Sequence, residues 1–249
     1  MIMRTRQEIK HLAKQAFAAQ RGHSILAIFL PMLIAFGFGA IVSIITLLFQ
    51  NQLTPNANPS VVIGVVVFSF IIWLLSMAFA IIMLVIEVNI AGTFVKVYCG
   101  RQISPTEPFE AIKPNFGRKL GGMLWMSLWL CLWSIIGPIT LFIPFIIKTL
   151  SYSMTPYILA DNPNVTATEA LKLSKRITKG HKGKIFVMAL SFIGWNILSG
   201  LTLGILGILY VYPYMYTSFA GLFVQLRSLA VATGVVHQAE LDGAYLHNQ

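Results

Sequence analysis

The side chains best suited to chemistry are polar groups that interrupt long apolar runs, and Lys148 is the clearest of them. It lies in IPFIIKTLSYSMTPYILADNP, residues 143–163, with apolar residues before it and hydroxyl-bearing residues after it. Ionisable side chains inside membrane segments are costly, so each one is a functional hypothesis. Tyr152 follows at i+4 and shares a helix face with Lys148. This spacing predicts a polar pocket, open to the cytoplasm, in which Lys148 attracts an anionic group such as a lipid phosphate.

Other polar residues in apolar surroundings extend this candidate pocket. Glu87 and Asn89 interrupt the second apolar stretch, and Glu87 is a candidate counter-ion for Lys148. The complete set is Lys148, Tyr152, Glu87, Asn89, Asn196 and Tyr214. A structural alternative stays open. In it Lys148 extends to the membrane surface or pairs with Glu87 to seal a helix bundle, and the tyrosines form an interfacial belt.

Catalysis by this chain is not expected, because the sequence lacks the necessary groups. An enzyme needs a nucleophile with a base, paired carboxylates or a metal-ligand set within reach of one another. The chain has eight acidic residues, and its five histidines lie in or beside basic segments without H-x-x-x-H or C-x-x-C spacing. Phosphate-binding and dinucleotide-binding glycine motifs are also missing. We therefore predict a non-enzymatic protein with no catalytic residues, no metal and no cofactor.

The composition is that of an integral membrane protein. Of the 249 residues, 57% are hydrophobic and 10% are charged, whereas a soluble globular chain has about 25% charged residues. The mean hydropathy is +0.76. The net charge of +10 lies in short stretches between apolar runs, which is typical of cytoplasmic loops. We expect anionic lipid headgroups as partners, with a membrane protein as the other candidate class, and no nucleic acid.

Four apolar stretches are long enough to cross a membrane, which takes about 20 residues. They are residues 25–49, 60–86 with an extension toward Val95, 120–160 and 185–226. The last two have room for two short spans each, with turns at Gly137-Pro138 and at Gly204 or Gly207. The fourth span would then run from Pro138 to Asp161, with Lys148 close to the midplane of the membrane.

The basic segments decide the orientation. The N-terminal arm, residues 96–119 and residues 161–184 are rich in lysine and arginine, so all three are expected in the cytoplasm. An even number of spans must separate each pair. The predicted fold is an all-α polytopic membrane protein with about six transmembrane helices and both termini in the cytoplasm.

The three cytoplasmic segments share a pattern that suggests an internal repeat. Thr5–Glu8, Ser104–Glu107 and Thr166–Glu169 each have the S/T-x-x-E form of a capping box. Fourteen residues after each glutamate is a glycine, namely Gly22, Gly121 or Gly183. We interpret each copy as an amphipathic helix that turns at its glycine into a membrane hairpin. The middle copy should be short, because of Pro108 and Pro114. The alternative is that any helix beside a membrane needs a cap and a turn.

These units divide a single membrane domain, residues 1–249, at about 1–98, 99–161 and 162–230, with a short tail at 231–249. The third unit has the densest positive charge. Its candidate contacts to anionic lipid are Lys172, Lys175, Arg176, Lys179 and Lys182.

The second half contains the strings SYSMTPYILADNP, EALKLSKRITKGHKGKIF and LSFIGWNILSGLTLGILGILYVYPY. In these strings the chain resembles the bacterial integral membrane family known as domain of unknown function 975, specifically over about residues 143–216. The resemblance implies a plasma-membrane protein of Gram-positive bacteria and brings no activity, cofactor or site residue. The layout is more distantly similar to the membrane domains attached to some glycerophosphodiester phosphodiesterases, whose catalytic barrel is absent here.

Two functions remain as hypotheses. The first is a non-enzymatic plasma-membrane accessory or regulatory protein, acting through its basic helices on lipids or partner proteins. The second is a small transporter, exporter or lipid-handling protein with a polar cavity around Lys148.

Overall fold

The protein is all-helical in the computed structural model, which describes residues 4–51, 58–113, 115–137, 142–162 and 164–241. No strand occurs in these ranges, so the predicted all-α class is confirmed. The helices are α1 (Arg6–Ala19), α2 (Arg21–Gln50), α3 (Pro59–Tyr98), α4 (Glu107–Glu110), α5 (Phe116–Ile136), α6 (Ile143–Tyr152), α7 (Thr155–Asp161), α8 (Ala167–Thr178), α9 (Lys182–Leu190), α10 (Ile193–Leu201) and α11 (Tyr212–Ala232). A π-helical turn (Gly207–Val211) precedes α11, and a 3-10 turn (Gln238–Leu241) follows it.

Within the described residues, three helical segments are long and apolar enough to cross a membrane. They are α2, α3 and the stretch Lys182–Leu201, which comprises α9 and α10. Helices α2 and α3 have 30 and 40 residues, or lengths of about 45 and 60 Å. They contain the predicted spans 25–49 and 60–86, and α3 continues past Val95 to Tyr98.

The outer parts of α2 and α3 pack against each other through aromatic rings. Phe38 stacks on Phe79 and Phe49 on Phe68, with ring centroids 4.0 and 3.9 Å apart. Many large apolar side chains beside these contacts face outward, and Phe36 is 77% exposed. A contiguous apolar surface of this kind is typical of a protein region covered by lipid.

The protein core lies at the opposite end of α3, where most of residues 85–97 are buried. Helices α1, α7 and α11 pack around this part of α3. Phe94 stacks on Tyr216, with ring centroids 5.5 Å apart. The amphipathic helix α1 contributes Ile9 and Phe17, both almost fully buried. Burial of large apolar and aromatic side chains therefore holds α1 on the bundle.

The apolar block 120–160 is divided at the predicted glycine. Helix α5 ends at Ile136 with Gly137 as its C-cap, while Pro138 lies outside the described residues. A second interruption separates α6 from α7, because Pro156 lacks the N–H that would continue the helix. The carbonyl of Ser151 beside this break accepts a hydrogen bond from the Ser174 hydroxyl of α8, at 2.7 Å.

The apolar block 185–226 is divided at Thr202–Gly204, where Leu203 and Gly204 have positive φ angles of 53° and 84°. The predicted turn at Gly204 is therefore confirmed. Gly207 is not in the turn. It is buried at the start of the π-helical turn, where a Cβ atom would meet the side chains of Ser199 and Tyr212.

Two of the three predicted capping boxes are confirmed. Thr5–Glu8 begins α1 and Thr166–Glu169 begins α8, each with both reciprocal hydrogen bonds. The prediction for Ser104–Glu107 is wrong. The carboxylate of Glu107 pairs with Lys96, and the Ser104 hydroxyl bonds the Thr106 hydroxyl. The helix that follows, α4, has four residues, as the prolines of this segment predict.

The predicted glycine turns are wrong in all three units. Gly22, Gly121 and Gly183 lie inside α2, α5 and α9. The chain turns earlier, at Gln20, Asn115 and Gly180. Asn115 and Gly180 have left-handed φ angles of 58° and 82°. The side-chain amide of Gln20 bonds the backbone of Arg101 and Ile103 at 2.6 and 2.9 Å, so tertiary contacts determine the position of the first turn.

Candidate functional site

Helix α8 presents a basic face, and its apolar face is held by the protein. Ala170, Leu173 and Ile177 are buried against α5, α7 and α11, which pack on α8. Four of the five predicted lipid contacts are exposed on α8 or just after it, namely Lys172, Lys175, Arg176 and Lys179. The fifth, Lys182, is half-buried at the start of α9. The α8 charges are therefore fixed in place by the fold, and α8 is not a helix lying with its apolar side in lipid.

Three lysines from three helices converge beside this face. Helix α6 packs against α8 and α9, and the nearby charges that act on Lys148 are those of Lys175 and Lys182. We call these three residues the lysine cluster. Two aromatic rings adjoin it: Lys148 Nζ lies 4.7 Å from the ring centroid of Trp133, and Lys175 Nζ lies 5.4 Å from that of Tyr152. Both distances are in the range of cation–π contacts.

Among the described residues, no carboxylate forms an ion pair with any member of the lysine cluster. Like charges held close together repel one another, and an anion between them would relieve that repulsion. All three ammonium groups offer several donors but lack the rigid fork of arginine. The arrangement suits a mobile anionic oxygen group such as a phosphate.

The position of the lysine cluster bears on the depth of Lys148 in the membrane. Lys182 is the first residue of the candidate span Lys182–Leu201, so its neighbours lie at one end of that span. This favours a position for Lys148 at the membrane edge over one at the midplane. Glu87, the suggested counter-ion, lies on α3 and forms no ion pair with Lys148 in the described part of the chain.

The other members of the predicted polar pocket lie in separate surroundings. Asn89 is buried in α3, where it bonds the Pro108 carbonyl at 2.8 Å and accepts from Lys119 at 2.6 Å. Tyr214 contacts the ring of Phe192 in the core. Asn196 is exposed on α10. The structure does not gather the six predicted residues around one cavity, although the ring of Tyr152 adjoins the lysine cluster to which Lys148 belongs.

Arg176 differs from the other residues of the basic face, because it is already bound. Its guanidinium forms an ion pair with Glu240 at 2.8 Å and donates to the Val235 carbonyl. The Arg176 hydrogen bond and one from the His237 amide hold the pKa of Glu240 below its usual value. These contacts fasten the segment 234–241 across α8, so Arg176 supports the fold at this edge.

Three contacts made by charged side chains position these elements and are not evident from the sequence. Asp161 at the end of α7 pairs with Arg227 of α11, with Nε and Oδ2 3.1 Å apart. Lys119 is 7% exposed and donates to Asn89 and to the Ala111 carbonyl. Lys10 of α1 bonds the Ser191 hydroxyl at 3.1 Å, beside the break between α9 and α10. A charge inside an apolar run was the available signal for Arg227, while Lys10 and Lys119 lie in segments where basic residues are common.

A metal centre has no candidate in the described ranges, where no group of three or more His, Cys, Asp or Glu residues comes together. The two cysteines, Cys99 and Cys131, are free thiols.

Comparisons with known proteins agree with the sequence on the family. Residues 139–230 match the model of a family described as Protein of unknown function (DUF975). The match confirms the resemblance indicated by the sequence and extends from α6 into α11. The similarity to glycerophosphodiester phosphodiesterase domains is not confirmed. Neither the curated proteins nor the solved structures gave a match.

Proposed function

We propose that this chain, which carries the DUF975 region, is a non-enzymatic accessory or regulatory protein of the bacterial plasma membrane that binds anionic phospholipid of the cytoplasmic leaflet. The observation that carries the proposal is that Lys148, Lys175 and Lys182 lie on helices that pack together, with Lys175 over the ring of Tyr152, one helical turn from Lys148. None of the three pairs with a carboxylate of the residues that the structure describes. All three lie in the region matched by the family model. The exposed Lys172 and Lys179 extend the same positive surface.

The proposal includes six membrane spans with both termini in the cytoplasm. Beyond α2, α3 and α9–α10, the remaining spans are α5, the segment that ends with α6, and the π-helical turn with α11. Lys148 of α6 lies near the cytoplasmic end of its span, because it neighbours Lys175 and Lys182 of the basic segment 161–184. This arrangement keeps all three basic segments on one side. The test uses single cysteines, in a background without the native ones, at Ser60 and at Lys179. A maleimide that cannot cross the membrane should modify only the Ser60→Cys variant in intact cells, and modification of Lys179→Cys instead would overturn the topology.

Lipid selectivity in bilayers tests the binding proposal. Each lysine near an anionic surface contributes about 1 kcal/mol, so the three together favour an anionic headgroup by on the order of 100-fold at low salt. The protein would be reconstituted with spin-labelled phosphatidylglycerol or phosphatidylcholine, and electron paramagnetic resonance would measure the fraction of each held at the protein. Replacement of all three lysines by Gln should clearly lower the preference for phosphatidylglycerol.

Two control variants separate specific from general charge. Replacement of the lysine cluster by Arg keeps the charge and should keep the preference. Replacement of Lys14, Arg21 and Lys113, which are exposed elsewhere, by Gln removes the same formal charge and should also keep it. If this matched variant and the lysine-cluster variant lose the preference for phosphatidylglycerol equally, net charge alone accounts for the preference. That result would refute the proposed site.

A transport or lipid-handling role remains a second proposal, supported by the broken helices. Interruptions occur between α6 and α7 and between α9 and α10, and a π-helical turn precedes α11. Discontinuous helices and π-helical turns recur at binding sites in membrane proteins. In this role lipid binding depends on Lys148 alone, so Lys148→Met should by itself abolish lipid retention. Binding by the whole cluster predicts partial loss from Lys148→Met and further loss when Lys175 and Lys182 are also replaced.

A further inference from the structure

A cavity of about 370 Å³ opens where the start of α1 meets the start of α9 and the middle of α11. Arg4, Arg6 and Lys184 supply its charged lining, and Ile9, Met188 and Leu222 supply an apolar wall. Its volume lies within the range of about 300–1,000 Å³ that is usual for small-molecule sites. None of the three lysines of the lysine cluster lines it.

All the charged side chains that line the cavity are positive, namely those of Arg4, Arg6 and Lys184. No acidic residue of the described chain is among its lining residues. Glu8, the closest acid in the sequence, is engaged in the capping box, where its Oε2 accepts from the Thr5 amide at 2.8 Å. Arginine binds phosphate with two parallel hydrogen bonds and is weakly hydrated. The charged side of the cavity therefore suits a phosphate group.

The apolar side of the cavity calls for a ligand with a hydrocarbon part. Ile9, Met188 and Leu222 are each 1% exposed, so they form a fixed wall, while Val187 at the edge is 43% exposed. A free phosphate would use the charged side alone and leave the exposed side chain of Val187 in contact with water. A ligand with an anionic head and an apolar chain would use both sides.

The position of the cavity matches the boundary of the membrane. Gly183 and Lys184 lie in the first turn of the candidate span Lys182–Leu201, and Val187 and Met188 follow in the next turn. Basic pockets at such span ends are suited to lipid headgroups, with acyl chains lying along the adjoining apolar surface.

We infer that this cavity binds one anionic phospholipid, with its phosphate between Arg4, Arg6 and Lys184 and an acyl chain along the exposed side chain of Val187, over the buried Ile9, Met188 and Leu222. The site uses helices α1, α9 and α11, whereas the lysine cluster uses α6, α8 and α9. It is therefore a second, shaped site that stands or falls independently of the lysine cluster.

Gly183 offers a steric test that changes no charge. A Cβ atom at Gly183 would meet no atom within 4 Å, and the backbone there is ordinary right-handed helix. Gly183→Leu should therefore fold and place its side chain at the wall of the cavity. Gly194→Leu is the matched control, because Gly194 also has open space around it, lies in the same candidate span and does not line the cavity. Arg4→Lys/Arg6→Lys keeps the charge but loses two-point phosphate binding.

Native mass spectrometry of the full chain in neutral detergent would measure binding of dioleoyl phosphatidylglycerol. The measurement would use a background with Lys148, Lys175 and Lys182 replaced by Gln, so that the lysine cluster makes no contribution. We expect one tightly bound phosphatidylglycerol. Gly183→Leu should weaken this binding by at least tenfold, because its side chain occupies part of the cavity. Arg4→Lys/Arg6→Lys should also weaken it by at least tenfold, roughly the effect of losing one or two charge-assisted hydrogen bonds. Gly194→Leu should leave the affinity unchanged.

Two further probes identify the source of the phosphate. Glycerol 3-phosphate lacks the acyl chains and should bind on the order of 100-fold more weakly, and dioleoyl phosphatidylcholine should bind weakly because its choline is repelled by the cationic lining. Equal affinities of Gly183→Leu and Gly194→Leu would overturn the inference, as would glycerol 3-phosphate binding as tightly as the lipid. The absence of a tight adduct in this background would also overturn it, while leaving the lysine cluster to be judged by its own test.

Discussion

The buried ion pair between Asp161 and Arg227 should be among the costliest contacts of this protein to break. It joins the end of α7 to α11, and the two side chains are 1% and 11% exposed. The same guanidinium donates to the Leu241 carbonyl, which anchors the 3-10 turn after α11. We predict that Arg227→Met and Asp161→Asn each destabilise the fold strongly, because each leaves a charge buried without its counter-charge.

Removal of one partner of a buried ion pair costs about 3–5 kcal/mol. For a chain of 249 residues, this corresponds to a decrease in Tm of roughly 6–20 °C. Replacing both partners by apolar residues is often neutral, so Asp161→Leu/Arg227→Met should recover much of the loss. The single variants Asp161→Leu and Arg227→Met and the double variant together form a double-mutant cycle, which isolates the interaction between the two side chains.

Circular dichroism at one fixed heating rate would measure Tm in detergent, since irreversible unfolding makes Tm depend on that rate. Arg176→Met is the matched control. Its ion pair with Glu240 has side chains that are 43% and 38% exposed, so its loss should cost no more than about 1 kcal/mol. Equal values of Tm for Arg227→Met and Arg176→Met would refute the assignment of a dominant buried pair.

Three further predictions concern the elements that surround the lysine cluster. The lowered pKa of Glu240 means that its contacts stabilise the segment 234–241 above the unfolded pKa of about 4.3 and are lost as the pH falls through the lower folded value. Hydrogen exchange, corrected for its intrinsic pH dependence, should show this release as the pH falls below the unfolded pKa in the native chain and not in Glu240→Gln. Lys119→Met leaves Asn89 and the Ala111 carbonyl without their donor, at a cost of about 1–3 kcal/mol. It should speed maleimide modification of the half-buried Cys99 in a Cys131→Ser background, and an unchanged rate would contradict the role of Lys119. Gly180→Ala should cost roughly 1–2 kcal/mol because of its φ of 82°, whereas Gly194→Ala, in ordinary helix, should be neutral or stabilising.

The long apolar helices and the helix starts could be predicted because their causes are local. Apolar length is sufficient to predict α2 and α3, and a capping box needs only two residues three positions apart. The turns could not be predicted from glycine spacing, because distant residues determine them. The chain turns at Gln20, where the Gln20 side chain bonds the backbone of Arg101 and Ile103. These residues lie about 80 positions away in the sequence.

The candidate site could be predicted in its parts but not in its arrangement. Lys148, Lys175 and Lys182 were each identified from the sequence, the first as a charge in a span and the others as a basic surface. Their approach to one another depends on how α6 packs on α8 and α9, and the broken helix at Ser151 is part of that packing. Spacing along the chain carries no information on such a contact, so Glu87 was suggested as the partner of Lys148 instead.

A direct measurement of the central claim is the dipolar coupling between lipid phosphorus and lysine nitrogen. Protein labelled with ¹⁵N at lysine Nζ would be reconstituted in phosphatidylglycerol bilayers, and a Lys148→Arg variant would identify the Lys148 signal. An ammonium–phosphate hydrogen bond has an N···O distance of about 2.7–2.9 Å, which brings nitrogen and phosphorus within roughly 4 Å. Phosphate binding by the lysine cluster predicts such a coupling at Lys148, Lys175 and Lys182. Coupling at Lys172 and Lys179 with none at Lys148 would contradict it.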